Sequence, residues 1–421
     1  MIKKLLHSKI MIFILALFLV ALPATINRPD QTQQFSIVLG VGIDKSDEGY
    51  EVSTQILTSK ANQGFLESLQ VHSTKGKNIL DAVEKLSLHI GRIAGFGNNS
   101  VIVMSQEVST EDVGSTLDFF LRSKRLNGNP VIIVTENKAK DILSDVAKID
   151  ESFNYSLNSV AQLNDAFAAG AMCTLEQFLD NYYGGRTSSI VGVVKETNNI
   201  DDGIEIPPGN GSSDSSGANQ SGGQSGGGNG GSSSGESEQK VLSNDGSGAI
   251  FKNGKLVTIV DSDAIEGINI LTGSNRNVYT IENVNDEIYH NATVVLSVRN
   301  KVKTKQSKFS KNGIPRIYYN INYTIKVEQI IQNGNDRIVL DGSKNYVSPE
   351  LEKRFKQEVS RIVSSSINIA KAYNVDVYDA QMTLYRHHLK QWKNYIKSLP
   401  NNDDAFKNIE FFLNIIVKGN L

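Results

Sequence analysis

From Pro207 to Glu238 the sequence runs for 32 residues almost entirely in Gly, Ser, Asn, Asp and Gln, without one large apolar side chain. Such a stretch cannot bury enough surface to offset the entropy of ordering it, so it is expected to be disordered, and no core can run through it. The foldable chain is thereby cut into residues 27–198 and 241–421, with 199–240 as a Gly/Ser-rich linker or loop. Each part is long enough for a core of its own. The flanks Ser188–Lys195 and Ala249–Val260 both read as strands. The tract is therefore either a link between domains or an enlarged loop inside one.

The N-terminus carries a second strong signal. Lys3, Lys4 and Lys9 precede the uncharged run Ile10–Leu22, which Pro23 closes. A basic segment followed by an apolar one is an export signal, and the lysines stay on the cytoplasmic side. Everything after Pro23 is then expected outside. Leu22-Pro23-Ala24 is a poor cleavage site, and no cysteine follows to accept a lipid. Ile10–Ile26 reaches roughly the 17 residues a spanning helix needs, so residues 1–26 are expected to stay as an uncleaved anchor.

Hydrophobic residues are 39% and charged residues 21% of the chain, with a net charge of −2 spread along it. That balance suggests neither a nucleic-acid groove nor a polybasic membrane surface. Cys173 is the only cysteine, which excludes an intrachain disulfide and Cys-cluster metal sites. Its apolar surroundings, Ala168–Leu175, read as those of a buried structural thiol.

Periodicity places the elements. Phe35–Ile43 and Tyr50–Leu57 read as strands joined by a turn at Ser46–Gly49. Lys75–Ile90 has the 3–4 apolar spacing of a helix, ended by Gly91. Val101–Met104 and Val131–Thr135 read as strands, and Thr110–Leu121 as a helix capped by Ser109 or Thr110. Lys138–Ala147 and Thr174–Tyr183 read as further helices. In the second half, Asn253-Gly254 predicts a hairpin turn. Ala292–Lys305 and Ile317–Ile331 alternate as strands with one wet face. Ser348-Pro349-Glu350 opens a long helix, Val377–Leu399 reads as one more, and Glu410–Lys418 as a closing strand. The fold class is α+β: an N-terminal anchor or signal, then two to three compact α/β-type domains with mixed or antiparallel sheets. Residues 27–198 form one α/β region or two subdomains, and 241–421 an α+β domain.

Catalytic chemistry finds no support. Gly40-Val41-Gly42 and Gly95-Phe96-Gly97 lack the third glycine and the helix that would hold a pyrophosphate, so Gly40–Asp44 reads as a tightly packed turn. His387 and His388 are adjacent on a helix, point about 100° apart and read as solvent-exposed rather than as metal ligands. His72 and His89 stand alone. Asp44, Asp47 and Glu48 read as solvated turn residues. Asp261 and Asp263 hint at a cation loop but lack further oxygen ligands at calcium spacing. No catalytic, cofactor-binding or metal residue is predicted, no cofactor is expected, and the ligand-binding residues are left unknown. The chain is read as not an enzyme.

The run Thr74–Ser109 (TKGKNILDAVEKLSLHIGRIAGFGNNSVIVMSQEVS) resembles the Ger(x)C family of spore germination proteins. The likeness continues through Leu117–Arg122, Val131–Val134 and Lys138–Leu143. Gly248–Val257 is similar to the hairpin opening that family's C-terminal domain, and Ala370–Trp392 to a helix–Asp–helix–Trp run in which Asp376 and Trp392 fall on the matching positions. The resemblance implies a non-catalytic C subunit of a spore germinant receptor on the outer face of the spore inner membrane. It also implies two protein partners, a multi-span A subunit and a transporter-like B subunit, and no nucleic acid. Family members usually carry a lipid-accepting cysteine after the signal, which Leu22–Asp30 lacks. The alternative reading is a membrane-anchored extracytoplasmic solute-binding protein.

The anchor reading makes an expected outcome. The full-length protein should stay with membranes through alkaline carbonate washing, incorporate no labelled fatty acid and retain Met1–Lys9 in its intact mass. Soluble protein starting between Ala24 and Asp30 would refute it.

Overall fold

A computed structural model describes residues 35–60, 66–122, 128–149, 170–186, 188–197, 203–205, 241–273, 278–332, 335–338 and 347–419. The expected anchor, residues 1–26, and the Gly/Ser tract 207–238 lie outside the described residues. Among the described residues no helix is long and apolar enough to cross a membrane.

The first half contributes β1 (Phe35–Ser46), β2 (Gly49–Lys60), β3 (Leu66–Gly76), α1 (Ile79–Ile90), β4 (Ile93–Gly95), β5 (Val101–Ser105), α2 (Gln106–Ser109), α3 (Val113–Arg122), β6 (Val131–Thr135), α4 (Ala139–Ile149), β7 (Cys173–Thr174), α5 (Leu175–Tyr183) and β8 (Ser188–Val193). Strands β1, β5, β6 and β8 are parallel neighbours, and β2 and β3 extend one edge antiparallel. Every residue of β5 and β6 is buried. Ile102, Met104, Ile132 and Val134 face α1, α3 and α5, while Val101, Val103, Val131 and Ile133 face α4. Coverage on both faces is why these strands are continuous apolar runs rather than alternating ones.

Three short strands follow, β9 (Lys195–Thr197), β10 (Gly203–Glu205) and β11 (Val241–Ser243), in the order β10-β11-β9. Then come β12 (Gly248–Lys252) and β13 (Lys255–Val260), joined by the expected Asn253-Gly254 turn with both residues at positive φ. This hairpin does not stand apart. β12 pairs antiparallel with β8, and β13 beyond it forms the other edge of the first sheet. The residues from 194 to 247 thus lie between two strands that are adjacent and antiparallel in one sheet.

The remaining elements are α6 (Ser262–Thr272), β14 (Val278–Val284), β15 (Ala292–Phe309), β16 (Pro315–Gln332), β17 (Asn335–Ile338), α7 (Pro349–Ala372), α8 (Ala380–His387), α9 (Leu389–Ser398) and β18 (Glu410–Gly419). They form a second sheet in the order β14-β15-β16-β17, with β18 running parallel to β16 from Arg316 to Ile325. The inward residues of β16, from Ile317 to Val327, are buried beneath α6 and α7, and the opposite face carries polar side chains.

Helix α6 joins the two sheets. Seven of its residues, including Ile265, Gly267 and Ile268, are buried. A Cβ on Gly267 would lie 2.6 Å from both Ile362 O and Ser366 Oγ of α7. A Cβ on Gly248 of β12 would collide with Ile265 Cδ1. Ile250 and Val260 therefore share one core with Tyr323, Phe355 and Val359 of the second half.

Several local expectations change. The helix read over Thr110–Leu121 begins at Val113, because Asp112 and not Ser109 or Thr110 accepts from Gly114 N at 3.1 Å. Strands β3 and β14 were not anticipated. Helix α1 starts at Ile79, four residues past Lys75, where the Asn78 side chain accepts from Asp81 N.

Replacing Gly267 with Ala should destabilise the fold by about 1–3 kcal/mol through overpacking. At Gly128 an added Cβ meets only Asn99 O at 3.5 Å, so Gly128→Ala should stay within about 0.5 kcal/mol. Urea unfolding of both variants checks the contrast.

Candidate functional site

The turn after α5 brings Gly185 and Arg186 against the segment between α7 and α9. Together with Asp376, Asp379, Gln381, Met382, Tyr385 and Trp392 they line a cleft of about 250 Å³. Its floor is set by Asp376. One oxygen accepts from Tyr378 N at 3.2 Å and Ala380 N at 3.0 Å, and the other from Gln381 N at 2.7 Å. Ala380 N and Gln381 N are orphan donors of the first turn of α8, and Tyr378 N lies just ahead of it, so the carboxylate caps that helix from four residues upstream. Both oxygens are thereby committed to backbone donors. Burial pushes the carboxyl above the usual carboxylate range, and the N–H donors with the nearby Lys305 ammonium offset this only in part.

Lys305 reaches in from β15. Its Nζ donates to Tyr378 O at 2.6 Å and Asp379 O at 3.2 Å, and burial lowers its pKa against the pull of Asp376 and Asp379. Asp379 holds a left-handed backbone with φ 55°. Its carboxylate lies 3.8 Å from Arg186 Nε, an ion pair between the first half and the second. The pair is too exposed to add much stability, but it sets opposite charges across the cleft mouth. Trp392 is buried against Tyr395, whose hydroxyl donates to Ala405 O at 2.9 Å.

The residues singled out in the sequence fall as follows. Asp376 and Trp392 meet in this cleft. Cys173 lies in β7, buried, with its thiol pushed up to about 12. Asp44 is not a solvated turn residue: it is 2% exposed and accepts from Ala139 N at 2.8 Å and Lys140 N at 3.0 Å, capping α4 from β1. Gly40 and Gly42 lie within that strand rather than in a turn. A Cβ on Gly42 would lie 3.1 Å from Leu143 and 3.2 Å from Ala139, so the glycines let α4 approach the strand closely enough for Asp44 to cap it.

His387 is exposed, but His388 is half-buried, its Nε2 2.7 Å from Ser307 O and its ring edge-on to Phe309. That contact breaks the expected Val377–Leu399 helix into α8 and α9. His72 and His89 do not stand alone, since their rings meet edge-on at 6.1 Å. Asp261 caps α6 through Ala264 N, and Asp263 pairs with Arg361 at 2.9 Å, so neither builds a cation loop. No group of three or more His, Cys, Asp or Glu side chains able to hold a metal occurs among the described residues.

Sequence reasoning missed Arg186 and Lys305, which look like ordinary surface cations until the fold brings them to Asp379 and the Tyr378 carbonyl. It also missed the polar side chains sealed into the second half, where Tyr279, Tyr323, Asn300 and Glu266 are all buried. No sequence signal marks them.

Burial raises both Asp44 and Asp376 above 3.8. The native state therefore binds more protons than the unfolded chain just above that value. The stability contributed by each protonated carboxyl is fully present below 3.8 and is lost as pH rises through its folded value. The melting temperature of Asp44→Asn and Asp376→Asn should accordingly fall less steeply than the parent's as pH rises above 3.8. Parallel curves would refute the assignment.

Comparison with known proteins gives consistent findings. Residues 30–196 match the family described as the spore germination protein N-terminal domain, and residues 246–418 that described as spore germination B3/GerAC like, C-terminal. The chain is similar to spore germination protein KC of Bacillus subtilis (strain 168), 23% identical over 407 residues that cover 92% of this chain and 91% of the relative. Among solved structures, the GerBC protein aligns with a TM-score of 0.44 and 14% identity, covering 90% of this chain and 96% of that one.

Proposed function

This chain belongs to the Ger(x)C family of spore germination proteins, and from that membership we propose that it is the C subunit of a germinant receptor, working with A and B membrane subunits without making or breaking bonds. The observation that carries the reading is the ordered match of both halves to the two domains of that family. In this reading the chain sits on the outer face of the spore inner membrane, held by Ile10–Ile26. Its folded body presents surfaces to the partner proteins. The cleft chemistry supports a positioning role, since Asp376 is a backbone clamp and Arg186, Asp379 and Lys305 tie segments to one another.

Tagged protein isolated from spore membranes should carry a multi-span A subunit and a transporter-like B subunit with it. Spores lacking the chain should lose their response to one set of nutrients. Recovery of the chain alone from membranes that still contain both candidates would sink the reading. Calorimetric titration with amino acids and nucleosides separates the solute-binding alternative: a scaffold gives no heat, whereas a stand-alone binder gives dissociation constants in the micromolar range.

A further inference from the structure

We propose that the outer face of the second sheet lies against an anionic phospholipid surface. The inference rests on the membrane-anchored reading above and adds the side of the molecule that meets the bilayer.

Pairing register sorts the charges. On β16 the residues from Ile317 to Val327 with odd numbers point to the core, so Arg316, Tyr318, Asn320, Asn322, Thr324 and Lys326 point outward. Register then brings outward neighbours beside them: Lys308 beside Arg316, Lys301 beside Asn322 and Arg299 beside Thr324 on β15. On β18 the partners are Glu410, Phe412, Asn414, Ile416 and Lys418. The three strands thus present Arg299, Lys301, Lys308, Arg316, Lys326 and Lys418 on one face. Against them stand Glu410, paired with Arg316 at 2.7 Å, and Glu328, paired with Lys326 at 3.0 Å. Glu282 lies on the far edge strand, β14.

A chain with a net charge of −2 therefore carries an open face with an excess of cations. Basic residues spaced by two are diluted along the chain but collected by the pleat.

The same face carries apolar groups suited to a headgroup layer. Tyr318 stacks on Phe412 at 4.8 Å, with Lys308 5.7 Å above the Tyr318 ring and Arg316 5.5 Å above Phe412. Phe412 and Ile416 are each 40% exposed. Aromatic rings flanked by Lys and Arg are the composition that membrane interfaces favour, and clustered cations are drawn to anionic lipid. Helices α6 and α7 pack on the opposite face, so this one is left open by them. The occupant is argued by charge and by reach. Only eight residues separate Ile26, where the apolar run ends, from Phe35, where β1 begins, a tether of at most about 28 Å.

Cys173 is buried with a thiol pushed up to about 12, so it stays unreactive and a cysteine added by Ile416→Cys can be labelled alone with an environment-sensitive fluorophore. The labelled full-length chain is reconstituted into vesicles of phosphatidylcholine or of mixed phosphatidylglycerol and phosphatidylcholine. Emission should shift to the blue and brighten roughly twofold only in the anionic vesicles, and revert in roughly 0.5 M salt. A label at the exposed Leu88 through Leu88→Cys should not respond. Combining Arg299→Glu, Lys301→Glu and Lys418→Glu should abolish the response.

Equal emission in both lipids overturns the proposal, and the salt and lipid dependence test it even if the charge-reversed protein misfolds. A shift caused by soluble polyglutamate but not by vesicles also overturns it, pointing to an acidic protein partner. Carbonate washing of the same vesicles keeps the two readings apart. Retention without a lipid-dependent shift sinks the face alone, and release with the shift intact supports the face while sinking the anchor.

Discussion

Everything else in the molecule hangs on the burial of α6. A helix in contact with one sheet above it and another helix below cannot carry a side chain at every point of approach, and Gly248 and Gly267 mark where backbone and side chain come too close for one. Because Ile250 and Val260 from the first sheet, and Phe355 and Val359 from α7, converge in one core around it, the two halves are not independent beads. The cleft inherits its shape from that docking. Arg186 comes from the first half and Asp379 from the second, and they can face each other at 3.8 Å only because α6 holds the two sheets in a fixed relation.

Two aspartates repeat one device at different scales. Asp44 reaches across 95 residues of sequence to the start of α4, and Asp376 reaches four residues to the start of α8. Each replaces water for helix-end donors that packing has sealed off. A carboxylate suits the task because it accepts two or three N–H bonds at once. The cost is desolvation, visible in the raised pKa of both groups. In the family run that Asp376 shares, the helix cap is a physical reason for an acid at that position, independent of any ligand.

Elements with strong periodicity were legible in the sequence: β5, β6, α1, α7 and the long alternating strands fall where spacing predicts them. What escaped was decided by partners distant along the chain. Asp44 looked solvated because nothing nearby in sequence reveals α4 above it. The break at His388 depends on the Ser307 carbonyl of another strand, and the parallel pairing of β18 with β16 joins residues 94 apart. Strand β3 was hidden because its central residues, Gln70, His72, Ser73 and Thr74, are polar on an edge with little to bury. Of the candidate cleft, Asp376 and Trp392 were marked by family resemblance, whereas Arg186 and Lys305 carry no local signature at all.

The ladder between β10 and β11 has one more implication. Glu205 pairs with Val241, so the two chain ends leaving that small sheet are a strand's width apart. Residues 205 and 241 are thus side by side although 36 positions apart in sequence. Closing a longer loop there costs only logarithmically more entropy. That makes the junction a natural insertion port. A reporter domain, an epitope or a protease site could be spliced in without rethreading a strand.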